Sequence, residues 1–98
     1  MNVFAILPPE ANSVLDKRIE EVFPGNCLKI SPNQWLIAGK GTSREVSDHL
    51  QITETNSLGA VSKGLTGVAV VLAVTSYFGT APTNVWEWLK TKLEAPQP

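Results

Sequence analysis

The first quarter of the chain places a short apolar run before a one-sided amphipathic stretch. Residues 3–7 are all apolar and are followed by two prolines, so their number and the proline stop favour a strand over a helical turn. Apolar residues then recur at the spacing of one helical face over residues 14–23. Asn12 and Ser13 are good N-cap residues, and the turn formers at 24–26 end the predicted helix.

Two short apolar runs come next and predict a β-hairpin. Residues 27–30 and 34–38 flank the turn-forming triplet Ser31-Pro32-Asn33. The side chains expected to alternate toward the core are those of Leu28, Ile30, Trp35 and Ile37.

A second helix is predicted after the Gly39-Lys40-Gly41 loop. The sequence Thr42-Ser43-Arg44-Glu45 is a full capping box, with the threonine at the N-cap and the glutamate at N3. We expect this helix to end near Leu50, with Val46 and Leu50 facing the core.

Residues 53–67 carry three glycines among Asn, Ser and Thr, which predicts a long loop that is mobile or folds on a partner. Residues 68–77 are almost continuously apolar and rich in valine, which is typical of a central strand covered on both faces.

Thr83 or Asn84 then caps a last helix. Its apolar stripe is Val85, Leu89 and Leu93, with Trp86 and Trp88 on either flank.

The order strand, helix, hairpin, helix, strand predicts an α+β protein with the ferredoxin-like βαββαβ arrangement. Two helices would cover one face of a four-stranded antiparallel sheet. The added C-terminal helix would cap the open sheet face or dock on a second copy. The prediction is a single domain over residues 1–95, with a frayed tail at 96–98.

Composition limits the chemistry. The 98 residues are 43% hydrophobic, and eight basic against nine acidic residues give a net charge of −1. A generally basic nucleic-acid binder is therefore disfavoured. One cysteine excludes an internal disulfide, and one histidine excludes motifs that need two. No cofactor is expected.

The compartment expected from the sequence is the cytoplasm. The N-terminus has no basic region and its apolar run is too short for a secretory signal. Residues 67–74, the most apolar stretch, fall far short of the ~20 residues that span a bilayer. We therefore expect no membrane contact and a reduced, buried thiol at Cys27.

The strand at 3–7, the amphipathic helix, the hairpin through Gln34-Trp35-Leu36-Ile37 and the capped helix at 42–50 carry a resemblance. Over roughly residues 2–80 the pattern resembles small bacterial proteins that include SinR-like proteins, virulence-associated protein D and the small CRISPR adaptation subunits. The segments Ser76-Tyr77-Phe78-Gly79 and Trp86-Glu87-Trp88 look like a signature of such a family.

The resemblance implies a ferredoxin-like fold and, for the nuclease members, a divalent metal held by an aspartate at the end of the first strand in a dimer interface. The corresponding stretch here is Leu7-Pro8-Pro9-Glu10. Glu10 replaces the aspartate, and the prolines change the path of the chain. The resemblance therefore leaves a metal-dependent nuclease as one alternative, with Glu10 as its ligand.

Other candidate sites come from the residues themselves. Backbone amides of Lys40, Gly41, Thr42 and Ser43 lead into a helix N-terminus and are a weak candidate for anion binding, without P-loop spacing. His49 beside Asp48 on a helix is expected at the surface, because adjacent helical positions point in different directions. No catalytic residue is assigned.

The aromatic residues near the C-terminus are the candidate contacts for a partner. Aromatic side chains dominate both cores and interfaces. The candidates are Tyr77, Phe78, Trp86 and Trp88.

Three functions stay open at this point. The leading hypothesis is a small non-catalytic interaction module of the bacterial or phage cytoplasm that self-associates or binds a protein partner. The alternatives are the divalent-metal nuclease and a small-ligand or nucleotide sensor that uses residues 39–43.

Overall fold

The computed structural model of the chain describes residues 2–76, 79–80 and 83–93, with the backbone alone for Leu93. Within these residues, three helices accompany a four-stranded sheet and a second sheet of two strands. The elements are β1 (Asn2–Leu7), α1 (Ser13–Val22), β2 (Cys27–Ser31), β3 (Gln34–Gly39), α2 (Ser43–His49), β4 (Thr53–Thr55), β5 (Val61–Lys63), β6 (Val70–Val74) and α3 (Thr83–Leu93).

The main sheet has four antiparallel strands in the order β2-β3-β1-β6. Its central strand β1 is apolar on both faces, because alternate residues of a strand point in opposite directions. Phe4 and Ile6 enter one buried cluster with residues of α1 and α2. Val3 enters a second buried cluster with Val85 and Leu89 of α3. The sheet is therefore sandwiched, with α1 and α2 on one face and α3 on the other.

The first helix, α1, follows its predicted pattern closely. Asn12 is the N-cap, and its side-chain oxygen accepts a hydrogen bond from the Leu15 amide at 3.1 Å. Leu15 and Ile19 are fully buried. Asp16 accepts a 2.8 Å hydrogen bond from the Trp35 indole and forms a 2.8 Å ion pair with Lys29. Thus α1 is fastened to the β2–β3 hairpin by a polar contact at the edge of the core.

The capping box of α2 forms as predicted. The Thr42 hydroxyl accepts from the Glu45 amide, and the Glu45 carboxylate accepts from the Thr42 amide, both at 3.2 Å. Val46 and Leu50 are buried. Because both halves of the box are local, the sequence alone determines where this helix begins.

The last helix, α3, covers the open face of the sheet within the same chain. Val85 and Leu89 pack against the face formed by Val3, Leu36 and Ala38. Lys92 also donates a 2.8 Å hydrogen bond to the side chain of Asn26 at the start of the hairpin. The covering role is one of the two expected for this helix.

The prediction of a loop over residues 53–67 is wrong. Strands β4 and β5 form an antiparallel hairpin, with Thr53 opposite Lys63 and Thr55 opposite Val61. The Asn56 side chain accepts hydrogen bonds from the amides of Leu58 and Ala60 and so closes the turn. The strands are too short and too polar to show an alternating pattern in the sequence.

The prediction of a central strand over residues 68–77 is also wrong. β6 spans Val70–Val74 at the edge of the sheet and, among the described residues, pairs only with β1. Ile30 likewise fails to reach the core and is 44% exposed. The ladder between β2 and β3 shifts register between Lys29 and Ser31, which takes Ile30 out of the regular alternation.

The coarse fold class is confirmed as α+β with an antiparallel four-stranded sheet. The hairpin of β4 and β5, inserted between α2 and β6, makes the chain differ from a simple βαββαβ series. The tail at 96–98 lies outside the described residues.

Gly64 is required where the chain passes the end of α2. A Cβ added there would collide with the carbonyl oxygen of Gln51, which is backbone and has no room to move aside. We expect Gly64→Ala to lower the free energy of unfolding by about 1–3 kcal/mol. Urea unfolding measures the change, with the exposed Ser62→Ala as control, expected within about 0.5 kcal/mol of wild type. Equal stabilities for the two variants would contradict this packing.

Candidate interaction surface

Large aliphatic side chains are exposed mainly on one stretch of the chain. Of eight exposed large hydrophobic residues among those described, six fall within residues 58–72, which we call the aliphatic segment. Leu58 is 92% exposed and Leu65 is 76% exposed. The other four are Val61, Val68, Val70 and Leu72. Single exposed aliphatics are ordinary on protein surfaces, but a concentration of them marks interaction sites.

The aliphatic segment is held in place by hydrogen bonds to the body of the domain. Arg44 on α2 donates to the carbonyl of Gly59 at 2.9 Å. The buried Thr66 donates its hydroxyl to the carbonyl of Leu50 at 2.9 Å, and its own carbonyl accepts from the Asn12 side chain. The exposed aliphatics thus sit on an anchored backbone.

The final part of the aliphatic segment is the edge strand β6. Its register with β1 places Leu72 opposite Ala5 and Val70 opposite Leu7, on the sheet face that α3 covers elsewhere. Yet Val70 is 55% exposed and Leu72 is 47% exposed. The helix packs against side chains of β1, β2 and β3, and Val70 and Leu72 at this corner of the sheet stay exposed.

Charge is nearly absent from this surface. Between Glu54 and Glu87 the sequence has one charged residue, Lys63. Edge strands of monomeric proteins are often protected by lysine, proline or a bulge. β6 has neither a charge nor a proline.

The tryptophans proposed as partner contacts occupy a different environment. Trp86 and Trp88 are half-buried and pack against the cluster of Val3, Leu36 and Ala38 under α3. Their role as partner contacts stays a prediction. The sequence analysis expected residues 53–67 to fold on a partner but did not single out the individual aliphatics of residues 58–72, whose signal was a run of leucine and valine in a stretch almost without charge. Tyr77 and Phe78 lie outside the described residues.

The predicted anion-binding loop leads directly into the capping box. The amide and hydroxyl of Thr42 both donate to the Glu45 carboxylate at 3.2 Å, so a carboxylate already lies where an anion would bind. Beside it a cleft of about 250 Å³ is lined in part by Lys40, Glu45 and His49. Gly41 and Ser43 flank the box, and anion binding there stays a prediction.

Glu10, the ligand implied by the nuclease alternative, is exposed after β1. It lines an open cleft of about 420 Å³ together with Pro9, Asn12 and Val68. No group of three or more His, Cys, Asp or Glu side chains that could hold a metal ion occurs within residues 2–76, 79–80 and 83–93. The nuclease reading stays a prediction.

The single thiol and imidazole lie apart from the aliphatic segment. Cys27 begins β2 and is half-buried, and burial together with the nearby Glu20 carboxylate raises its pKa. A raised pKa leaves less reactive thiolate at neutral pH. His49 is exposed at the end of α2, where its backbone carbonyl accepts from the Arg18 guanidinium at 3.1 Å.

Comparisons of the chain with known protein families, with curated proteins and with solved structures find no match. In the described part of the chain no helix is long and apolar enough to cross a membrane. We therefore identify the candidate surface from the contacts of this chain alone.

The carboxylate of Asp48 links α2 to the hairpin that begins the surface. Hydroxyls of Thr53 and Thr55 donate to it at 2.6 and 2.9 Å. These bonds, helped by Arg44, lower the pKa of Asp48 below its ordinary value of 3.8. A group with a lowered folded pKa stabilises the fold above its unfolded pKa, and this contribution is lost as the pH falls through the folded pKa.

We therefore expect Asp48→Asn to be less stable than wild type at neutral pH and to lose less stability on acidification. Urea unfolding between pH 2 and pH 7 measures both effects. The exposed Glu54→Gln on β4 is the matched control and should follow the wild-type curve. Parallel curves for wild type and Asp48→Asn would contradict the role of this carboxylate.

Proposed function

We propose that this chain is a non-catalytic protein-interaction module that self-associates, or binds a protein partner, through the aliphatic segment. One observation carries the proposal: among the described residues, six of the eight exposed large aliphatics belong to one anchored stretch that ends in an edge strand paired on one side only. A partner that excludes water from an exposed apolar surface of this kind lowers the free energy, so binding there is favourable.

The free energy expected from burying these aliphatic side chains supports association. Burying one aliphatic side chain of this kind contributes roughly 1.5–3 kcal/mol when it passes from full exposure to full burial. The six side chains start about half to nine-tenths exposed. Their combined burial is thus on the scale of the ~4–15 kcal/mol cost of bringing two proteins together.

The sheet architecture supports the finer proposal of a ferredoxin-like frame. With β4 and β5 treated as an insertion, the order β2-β3-β1-β6 reads second, third, first, fourth along the chain. The helices α1 and α2 share one face, as in a split βαβ plan. A relationship to the SinR-like group and a cytoplasmic location are also proposals.

The half-buried tryptophans of α3 are a second proposed contact. Trp86 and Trp88 pack on the same cluster as Val74 of β6, so the helix and the edge strand share one sheet face. Aromatic side chains that keep part of their surface exposed are enriched at interfaces.

The test is the mass of the purified chain in solution. We expect light scattering to give a dimer or larger assembly at both low and high salt, because the surface is apolar and nearly uncharged. The double variant Val70→Thr, Leu72→Thr removes apolar surface and places threonine, a β-branched residue suited to a strand, at both positions. It should weaken association at least tenfold.

Val14→Thr is the matched control, since Val14 is 60% exposed and lies on α1, outside the aliphatic segment. This variant should keep the wild-type mass. Circular dichroism confirms that each variant folds. A wild-type chain that stays monomeric at every concentration would contradict self-association, and a double variant that associates as wild type does would contradict the role of the aliphatic segment.

A further inference from the structure

We infer that β6 pairs with β6 of a second copy, antiparallel about a two-fold axis at Leu72, and joins two four-stranded sheets into one of eight strands. This inference rests on the proposed function, because it specifies the occupant and geometry of the same surface. It concerns residues that the structure places at an open sheet edge.

The outer edge of β6 carries backbone groups with which a second strand can pair. Among the described residues β6 pairs only with β1, so its other side presents backbone N–H and C=O groups. Such a row is a template for another extended chain. Neither a charged side chain nor proline blocks this approach along Val70–Val74.

The sequence of β6 is nearly palindromic, which favours a second copy as the occupant. Reading Val-Val-Leu-Ala-Val from either end gives Val70 opposite Val74, Val71 opposite Ala73 and Leu72 opposite its own equivalent. A two-fold interface has this property, since residue i meets j and j meets i. All five residues of each strand are then paired.

The faces of the sheet exclude registers shifted by an odd number of residues, and pairing all five residues of both strands selects Leu72 as the centre. Val70 and Leu72 lie on the face that α3 partly covers, whereas Val71 packs toward the cluster under α1 and α2. A slip of one residue would place these two sets on opposite faces across the interface. Pairing centred on Leu72 instead joins the uncovered aliphatics of both copies into one stripe.

Charge is compatible with self-pairing. Residues 64–76 contain no ionisable side chain in either copy, so two-fold pairing brings no like charges together. A partner that bound chiefly through charge would find nothing complementary on this strand.

Cysteine cross-linking tests the register directly. In the background Cys27→Ser, the variant Leu72→Cys places two thiols on directly opposite residues. Opposite Cα atoms of an antiparallel pair are about 4.5–5.5 Å apart, within the roughly 4.4–6.8 Å that a disulfide needs. Under mild oxidation we expect Leu72→Cys to form a covalent dimer in high yield.

Two further variants, Val70→Cys and Val74→Cys, check the pairing rule. In the proposed register, residue 70 of one copy lies about 13 Å along the strand from residue 70 of the other, because four residues at ~3.3 Å each separate them. The same distance separates the two copies of residue 74. Neither variant should cross-link alone at the rate of Leu72→Cys. An equimolar mixture of the two should form a mixed disulfide, because the proposed register places them opposite each other. Val14→Cys on α1 gives the background rate of random collision.

The outcomes separate the inference from the proposed function. If light scattering shows a dimer but Leu72→Cys cross-links no faster than Val14→Cys, the strand pairing is overturned and the interaction module stands. If the unmodified chain is monomeric and no variant cross-links above background, both fail. Efficient self-cross-linking of Val70→Cys would also overturn the register. Matching circular dichroism spectra verify that the reduced variants are folded.

Discussion

The structure depends on the central strand β1, whose side chains are apolar on both faces. Phe4 and Ile6 point to α1 and α2, while Val3 points to α3. Such a strand is stable only if both faces are covered, because each carries apolar surface that water would otherwise contact. The helices α1 and α2 pack on the first face. A single eleven-residue helix, α3, packs on the second, against side chains of β1, β2 and β3. This unequal cover leaves the corner at β6 open.

The open corner and the inserted hairpin form one surface. The hairpin of β4 and β5 is tied to α2 through Asp48 and Arg44, and the chain then returns to β6 past the buried Thr66. These polar contacts hold in place a stretch whose aliphatic side chains are themselves largely exposed. An arrangement that fixes the backbone and exposes its apolar side chains loses little conformational entropy on binding, which favours a partner.

Local sequence signals predicted the elements that local contacts determine. The capping box of Thr42 and Glu45 fixed the start of α2, and the helical spacing of Leu15 and Ile19 identified the buried face of α1. The sequence predicts a loop over residues 53–67, since the hairpin there depends on long-range contacts such as Arg44 to Gly59. It predicts a central strand over residues 68–77 because a valine-rich run has the same pattern at the centre and at the edge of a sheet, and the placement of α3 decides which face stays open.

Amide hydrogen exchange measured over a range of protein concentrations tests the central claim most directly. If β6 joins a second copy, alternate amides of Val70–Val74, those that point away from β1, gain protection as concentration rises. Amides of β3, which has neighbours on both sides, should exchange at the same rate throughout. Exchange in β6 that is independent of concentration, in a range where the mass of the assembly changes, would contradict the account.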